Sequence, residues 1–210
     1  MDSNILSLFN DVALIKRIKS RLPYLFQLAE LESSRAGKIG MEVGSLREKI
    51  IIALLIYKFG ENNVETDIPI TQAEIDVKLF GNPISIKTIT GKSINGIKLI
   101  WTVDPESALY FRDNYDPNCD MILINIVWNN TGYFYYIPLS VQSDVLNKIG
   151  RERYIKLPKK GTNPRGVEMS NEAVEQLINH NLTKNIPIIW TKSNIIYKPY
   201  ERWVDLWKNQ

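Results

Sequence analysis

Cysteine and histidine are nearly absent from this chain of 210 residues, which has one of each, Cys119 and His180. A single cysteine excludes an intramolecular disulfide framework and any zinc cluster built from cysteines. A single histidine excludes metal sites with several histidine ligands, and a catalytic triad would depend on His180 alone. That residue lies between two asparagines at the end of a predicted helix, where a surface or C-terminal capping role is favoured.

Long apolar runs are also missing. The longest, Ile50–Tyr57, has eight residues, whereas a membrane-spanning helix needs about twenty. Residues 1–30 lack the basic segment, apolar stretch and small-residue cleavage site of a secretory signal. We therefore expect a cytoplasmic protein without a membrane-spanning segment.

The charges of the chain are nearly balanced, with a formal net charge of +3 at pH 7 and 23% charged residues. This mild excess of cations is compatible with a polyanionic partner but is weak support for one. Hydrophobic residues make up 44% of the chain, which is typical of a globular protein with a substantial core. The length fits one domain over residues 1–210.

The order of predicted elements indicates a mixed α/β (α+β) fold, with a central mixed β-sheet flanked by helices. Helices are predicted at residues 3–30 (broken near Pro23), Glu42–Phe59 (ended by Gly60), Asp104–Asp113, Ser140–Ile149, Ser170–Asn179 and Tyr200–Lys208. Strands are predicted at Val64–Ile70, Ala73–Leu79, Ile84–Ile89, Ile97–Val103, Met121–Trp128, Tyr133–Leu139, Arg151–Leu157 and Ile186–Trp190. The apolar run in the second helix predicts burial on every side. Trp203 and Trp207, in the last helix, are predicted core or dimer contacts.

The stretch 73–89 alternates in polarity on both sides of a short turn, as the two strands of a half-buried hairpin do. A two-residue loop at Gly81–Asn82 is predicted, since glycine can supply the positive φ of such turns. The resulting register places Asp76 opposite Lys87 on the polar face, with Cβ atoms about 5 Å apart. This pair is either a structural ion pair, worth under about 1 kcal/mol on a surface, or part of a functional site.

The hairpin pair gains a chemical role if Glu48, which lies two residues before the apolar run of the second helix, converges with it. A carboxylate at this position either lies on the solvent side or points into a cleft. Carboxylate oxygens bind Mg²⁺, which pairs naturally with substrate phosphate. The cation neutralises charge at phosphorus and activates water, while the ammonium of Lys87 can orient that water and stabilise the transition state. These residue types fit metal-dependent phosphodiester hydrolysis.

Basic side chains in three predicted loops are candidates for binding a nucleic acid. The first loop holds Arg35, Lys38 and Met41, the second Lys92 and Ser93, and the third Lys159, Lys160, Asn163 and Arg165. Met41 is either an apolar wedge between base steps or an anchor of its loop. Each loop fits an ordinary linker or a solvated surface loop as well. In the functional interpretation, the Lys159–Arg165 loop reads the major groove and the Arg35–Met41 loop approaches the minor groove.

Three segments together resemble the active-site motif of the PD-(D/E)xK nuclease superfamily: Glu48 on a helix, the triplet 74–76 and the triplet 85–87. The sequence at 87–92 and 99–104 is similar to type II restriction endonucleases. We accordingly expect one nuclease domain over 1–210. It would comprise an N-terminal helical part at about 1–60, a catalytic core at about 42–139 and a C-terminal α/β part at about 140–210.

The resemblance implies a homodimer that cuts both strands of double-stranded DNA at a short palindromic site. It implies Mg²⁺ as the cation, with Mn²⁺ or Ca²⁺ as substitutes for binding, and no small-molecule cofactor. The nearest likeness implies an alternating, CGCG-like C/G site that is cut to blunt ends. By the same resemblance, Asp76 and the Ile86 carbonyl are metal ligands and Lys87 is the catalytic lysine. Glu48 and Ser85 complete the implied site.

Two positions depart from the motif. Ile75 stands in place of the usual proline, which changes little because the neighbouring aspartate is the ligand. Ser85 stands where the family usually has an acidic residue, and a hydroxyl is a poorer metal ligand than a carboxylate. A carboxylate must therefore come from elsewhere, from Glu48 or from Glu74.

Two other functions fit the same residues. The site could belong to a DNA-repair or RNA-processing nuclease, which the sequence dependence of cutting would distinguish from a restriction enzyme. The protein could also be a non-catalytic nucleic-acid-binding protein in which the Asp76–Lys87 pair is structural. Ser85 favours this last interpretation.

Overall fold

The computed structural model of the chain describes residues 4–35, 38–40, 42–69, 72, 74–94, 96–102, 104–158 and 166–208. Its helices are α1 (Ser7–Asn10), α2 (Val12–Glu32), α3 (Val43–Phe59), α4 (Pro105–Asn114), α5 (Leu139–Ile149), α6 (Arg151–Tyr154), α7 (Asn171–Ile178) and α8 (Glu201–Lys208), with 3-10 turns at Asn4–Leu6 and Glu61–Asn63. Its strands are β1 (Ser34–Arg35), β2 (Lys38–Ile39), β3 (Val64–Glu65), β4 (Val77–Leu79), β5 (Asn82–Thr90), β6 (Lys98–Ile100), β7 (Asp120–Ile126), β8 (Asn130–Ile137), β9 (Ile155–Lys156), β10 (Val167–Met169) and β11 (Lys184–Trp190). None of the described helices has the length and apolar character needed to cross a membrane.

Six strands form the central sheet, in the order β11–β8–β7–β5–β4–β3. Among its described strand pairs, only β5 and β7 run parallel. The chain between them passes through β6 and α4, which gives the long connection that a parallel pair needs. β1 and β2 form a separate hairpin, and β6, β10 and β9 form a small antiparallel sheet. The predicted mixed α/β fold with a central mixed sheet is confirmed.

β7 lies inside the central sheet, and residues 121–126 are all buried. Their side chains alternate between two hydrophobic cores. Ile122 and Ile124 belong to the core that contains residues of α2 and α3, whereas Met121 and Leu123 belong to the core that contains residues of α5 and α7. Helices thus cover both faces of the sheet at this strand, as its uninterrupted apolar sequence predicts.

The predicted N-terminal helix is divided at Asp11 and is not broken at Pro23. Asp11 caps α2, because its Oδ1 accepts a hydrogen bond from the Leu14 amide at 3.0 Å. Pro23 lies inside α2 and is buried, between Leu22 and Phe26, which are 3% and 0% exposed. A proline costs a helix interior about 3 kcal/mol, while each buried large apolar side chain contributes about 1.5–3 kcal/mol. Packing therefore outweighs the proline.

The second long helix, α3, ends at Gly60 as predicted, where φ is +85°. The prediction that it is buried on every side is wrong. Ile51 and Leu55 are fully buried, but Tyr57 is 59% exposed. The outer side of α3 and the neighbouring side of α2 border an open, mainly apolar groove.

Several strands differ from their predicted extents. β3, β4 and β6 have only two or three residues, and residues 70, 73 and 103 of the predicted strands lie outside the described ranges. The predicted strand Arg151–Leu157 begins instead with the helical turn α6. This turn directs Tyr154 inward, where it is fully buried and stacked on Tyr115 with ring centroids 5.8 Å apart.

Candidate active site

The central hairpin turns one residue earlier than predicted, at Phe80–Gly81. Both residues have positive φ, +50° and +78°, as a type I′ turn requires. The register is therefore shifted by two residues, and Val77 lies opposite Ile84. The predicted direct pairing of Asp76 with Lys87 across the hairpin is wrong.

Asp76 nevertheless contacts Lys87, because it lies just before β4 and its Oδ2 is held by β5. This oxygen accepts hydrogen bonds from the Ile86 amide at 2.5 Å and from the Ser85 hydroxyl at 3.3 Å. The Nζ atom of Lys87 lies 3.6 Å from it, a diagonal contact across the hairpin. Within the described residues, Oδ1 of Asp76 accepts no hydrogen bond. The carboxylate is thus oriented through one oxygen and has the other left for a ligand.

Glu48, on α3, lies near enough to this pair to interact electrostatically with both of its charges. Burial raises the pKa of Glu48 and the charge of Asp76 raises it further, whereas Lys87 lowers it. The Glu48 carboxylate therefore interacts electrostatically with the charges of both Asp76 and Lys87. The structure therefore brings together the predicted site residues Glu48, Asp76, Ser85 and Lys87, with Ile86 between the last two on β5.

Glu74, the other candidate for the missing carboxylate, lies in a different setting. Burial raises the pKa of Glu74 to about 7, against an opposing effect of Lys87. Glu74 in turn adds to the raised pKa values of Tyr154 and Cys119, for which burial is the main cause. The Sγ atom of Cys119 donates a hydrogen bond to the backbone carbonyl of Glu74 at 3.8 Å. Asp76 raises the pKa of Glu48 but does not contribute to the raised pKa of Glu74. No pattern in the sequence predicts this half-buried setting of Glu74, because its residues come from separate elements.

The oxygen donors of the site fit a hard divalent cation. Asp76 and Glu48 supply carboxylate oxygens and Ile86 a backbone carbonyl, and ligands of this kind suit Mg²⁺. In the part of the chain that the structure describes, no three His, Cys, Asp or Glu residues are grouped closely enough to hold a metal by themselves. A cation at this site would need water or substrate oxygens to complete its shell, which is usual for Mg²⁺.

A buried ion pair lies behind Glu48 and is not predicted by the sequence. Arg47 Nη2 lies 2.5 Å from Glu30 Oε1, and Arg47 Nη1 donates to Thr90 Oγ1 at 3.0 Å. Burial lowers the pKa of the Arg47 guanidinium, and Glu30 counteracts that effect. The pair joins α2 and α3 to the end of β5, the strand that carries Lys87. Its only signal in the sequence is an arginine close to an apolar helical run.

The candidate nucleic-acid-binding residues are only partly covered by the structure. Lys38 is exposed on β2, and β1 and β2 form a small hairpin where a loop was predicted. Lys92 and Ser93 are exposed in the bend that follows β5. Outside the described residues lie Met41, Lys159, Lys160, Asn163, Arg165 and the side chain of Arg35.

Comparison with known proteins gives a closely similar solved structure, described as a restriction endonuclease in complex with substrate DNA. The two chains are 59% identical, and the match covers 99% of this chain and 100% of the other, with a TM-score of 0.93. The family model of the restriction endonuclease ThaI matches residues 8–209. No protein of curated function gives a significant match.

The class of protein follows from the fold and the site together. A central mixed sheet with an aspartate just before β4 and a lysine on the adjacent strand β5, in a fold this similar to that of a restriction enzyme, defines a restriction endonuclease. Within that class, the chain belongs to the ThaI restriction endonuclease family. The predicted kinship with restriction endonucleases is confirmed.

Proposed function

We propose that the protein is a type II, site-specific endonuclease that hydrolyses both strands of double-stranded DNA. The observation that carries this proposal is the contact of Asp76 with Lys87, 3.6 Å apart, beside the carboxylate of Glu48. The 59% identical relative is described as bound to substrate DNA, which supports DNA as the substrate.

Lys87 is the residue that acts on the phosphate in this proposal. Hydrolysis forms a bond from a water oxygen to phosphorus and breaks a bond from phosphorus to a sugar oxygen. The Lys87 ammonium would donate to that water or to a phosphoryl oxygen and oppose the negative charge of the transition state. Its side chain is 22% exposed and held by Asp76, so it is oriented before substrate binds and still accessible to it.

Asp76, Glu48 and the Ile86 carbonyl would hold the divalent cation, Mg²⁺ in the reaction and Mn²⁺ or Ca²⁺ as substitutes for binding. The cation would neutralise charge at the phosphate and acidify water. Ser85 takes a different role from the acid that it replaces. Its hydroxyl donates to Asp76 at 3.3 Å and so orients that carboxylate.

A homodimer, a short palindromic and CGCG-like site, and blunt cutting are proposed from the likeness to the family. A palindrome presents the same sequence on both strands, which suits a two-fold symmetric enzyme. In this proposal residues 159–165 read the major groove and residues 35–41 approach the minor groove. The proposed contacts are Arg35, Lys38, Met41, Lys92, Ser93, Lys159, Lys160, Asn163 and Arg165.

Cleavage of plasmid DNA that contains CGCG sites tests the proposal, with Mg²⁺ and with EDTA. The enzymes are wild type, Lys87→Ala and the matched control Lys78→Ala, because Lys78 lies on the same hairpin but pairs with Glu65 at 3.0 Å. We expect discrete fragments that require Mg²⁺, disappear with Lys87→Ala and persist with Lys78→Ala. Sequencing the fragment ends then gives the site and the cut position.

Two outcomes would contradict the proposal in different ways. A featureless smear from the wild type would indicate a repair or processing nuclease. DNA binding without cleavage, unchanged by Lys87→Ala, would indicate a non-catalytic binding protein in which the Asp76–Lys87 pair is structural.

A further inference from the structure

The C-terminal helix α8 and the residue before it present an apolar stripe that the described part of the chain leaves uncovered. Tyr200, Trp203, Val204 and Trp207 follow the i, i+3, i+4, i+7 spacing of one helical face. These side chains are between 45% and 87% exposed, and α8 contains no buried residue. A helix of eight residues is marginal in water by itself, and contiguous exposed apolar patches mark interaction sites. The stripe therefore indicates that another surface binds to α8.

A groove between α2 and α3 has the complementary apolar character. Its volume is about 300 Å³, and its apolar lining includes Leu25, Ala53, Leu54 and Tyr57. Tyr57 and Leu25 are 59% and 37% exposed. The groove explains why α3 carries apolar residues around its whole circumference although one side of it faces outward.

The charges around the two surfaces also match. Arg17 and Arg21 of α2 line the groove. Glu201 and Asp205 lie one turn apart on one flank of the α8 stripe. Their present partners are exposed lysines of the same segment, and such exposed ion pairs contribute little, so the two carboxylates can exchange partners at low cost.

We propose that α8 of one subunit docks into the α2–α3 groove of a second copy of this chain, and that the second copy returns the contact by two-fold symmetry. The inference rests on the proposed dimer and names its surface. Each exchanged segment covers three large aromatic side chains, which bury roughly 150–250 Å² each. With the opposing groove walls included, the interface falls within the roughly 1,200–2,000 Å² of specific complexes.

Among the described residues, none from α8 lines the groove of its own chain, which favours a second copy as the partner. Ser193 and Gln27 exchange two hydrogen bonds, at 2.7 and 2.8 Å, and Lys192 Nζ lies 3.6 Å from Glu30. These contacts hold the segment that leads to α8 against the C-terminal part of α2. The groove lies further back along α2, over residues 17–25.

Light scattering of the full-length protein tests the proposal, since one chain has a mass of 24.2 kDa. We expect twice that mass for the wild type and a monomer for the double variant Trp203→Ser/Trp207→Ser. The groove variant Ala53→Arg should independently weaken the dimer at least tenfold. Trp101→Ser is the matched control and should stay dimeric, because Trp101 is 69% exposed on a different part of the surface.

The outcomes separate this surface from the dimer itself. A monomeric wild type would overturn both the proposed dimer and its surface. A dimeric wild type together with a dimeric, folded Trp203→Ser/Trp207→Ser variant would overturn the surface alone and leave the proposed endonuclease intact.

Cross-linking distinguishes docking between copies from folding back within one chain. A Val204→Cys/Ala53→Cys protein is treated with a short bis-maleimide. The native Cys119 stays out of the reaction because it is buried, and burial raises the pKa of its thiol to about 12. A product with the mass of two chains supports the proposal. An internal cross-link at the mass of one chain, or no cross-link in a dimeric sample, would overturn it.

Discussion

Arg47 of α3 binds Glu30 of α2 at 2.5 Å, and the residue that follows Arg47 is Glu48. Both side chains of the pair are 5% exposed, and Glu30 also accepts a hydrogen bond from Trp128 Nε1 at 2.8 Å. This pair thus holds α3 in one rotation about its own axis. Its arginine is adjacent in sequence to Glu48, the residue that we propose as a ligand of the cation.

Loss of Glu30 should destabilise the protein far more than loss of an exposed acid. Glu30→Ala leaves the charge of Arg47 buried without its partner, which costs about 3–5 kcal/mol. Glu65→Ala is the control, because Glu65 is 50% exposed in its pair with Lys78 and such pairs are worth under about 1 kcal/mol. Urea unfolding measures both free energies, and equal losses would show that the buried pair has no special role.

Substitution of the two candidate carboxylates should separate their roles. Glu48→Gln should lower the cleavage rate by about 100-fold or more, because a neutral amide replaces a charged ligand of the proposed cation, which neutralises charge at the phosphate. Glu74→Gln should lower it by less, at most the roughly 10–100-fold expected for a residue that acts from outside the ligand set. DNA affinity in Ca²⁺ serves as the control for binding. The reverse order of effects would assign the missing motif carboxylate to Glu74.

The burial of Glu74 should make folding stability depend on pH. Its pKa is raised from 4.5 to about 7 in the folded protein, so its contribution is fully present below pH 4.5 and is lost as the pH rises to about 7. Glu74→Gln removes this titration. In EDTA, the variant should match the wild type near pH 4.5 and be more stable at pH 8, by an amount on the order of 3 kcal/mol. A difference that is constant with pH, measured by denaturant unfolding, would rule out this titration.

The turn of the central hairpin should be sensitive to a side chain at Gly81. Its φ of +78° is unfavourable for other residues, although no atom lies within 4 Å of the position that a Cβ would occupy, so Gly81→Ala should cost about 1–2 kcal/mol. Gly44→Ala is the matched control, because Gly44 lies in α3 with the same open surroundings and alanine there should stabilise by about 0.5–1 kcal/mol. Thermal unfolding should therefore show shifts of opposite sign.

The β1–β2 hairpin should contribute to DNA binding through its charge. If Lys38 contacts a phosphate, Lys38→Ala should reduce the slope of log affinity against log salt concentration by about 0.9. Lys148→Ala, on the exposed side of α5, should leave the slope unchanged. Titrations by fluorescence anisotropy in Ca²⁺ measure both slopes. An unaltered slope for Lys38→Ala would place this hairpin outside the DNA interface.

Sequence patterns that depend on near neighbours predict much of the fold. The uninterrupted apolar run of β7 requires cover on both faces, and both faces are covered. Asp104 begins α4 as predicted, with its carboxylate accepting from the Ser107 amide at 2.8 Å. Asp76 and Lys87 are predictable as neighbours because the alternation on both arms indicates a hairpin with one polar face.

Features that depend on distant parts of the chain could not be predicted. The turn at Phe80 needs a positive φ at an aromatic residue, and its ring is held edge-on to Phe59 with centroids 5.8 Å apart. The Glu30–Arg47 pair joins two helices, and the periodicity within each helix does not show how they pack against each other. The pocket around Glu74 likewise depends on side chains from α6 and from the chain just before β7, such as Tyr154 and Cys119.

The parallel pairing of β5 with β7 places Lys87 beside Leu123, so the position of the lysine along the sheet is tied to a strand in which residues 121–126 are all buried. A slip of that strand by one residue would send Ile122 and Leu123 into each other's cores. Both cores would have to repack at once, so no other register of β7 against β5 is favourable. The position of the Lys87 ammonium relative to the Asp76 carboxylate is thereby determined by the packing of apolar side chains on both faces of the sheet. Those side chains are buried and do not contact a substrate.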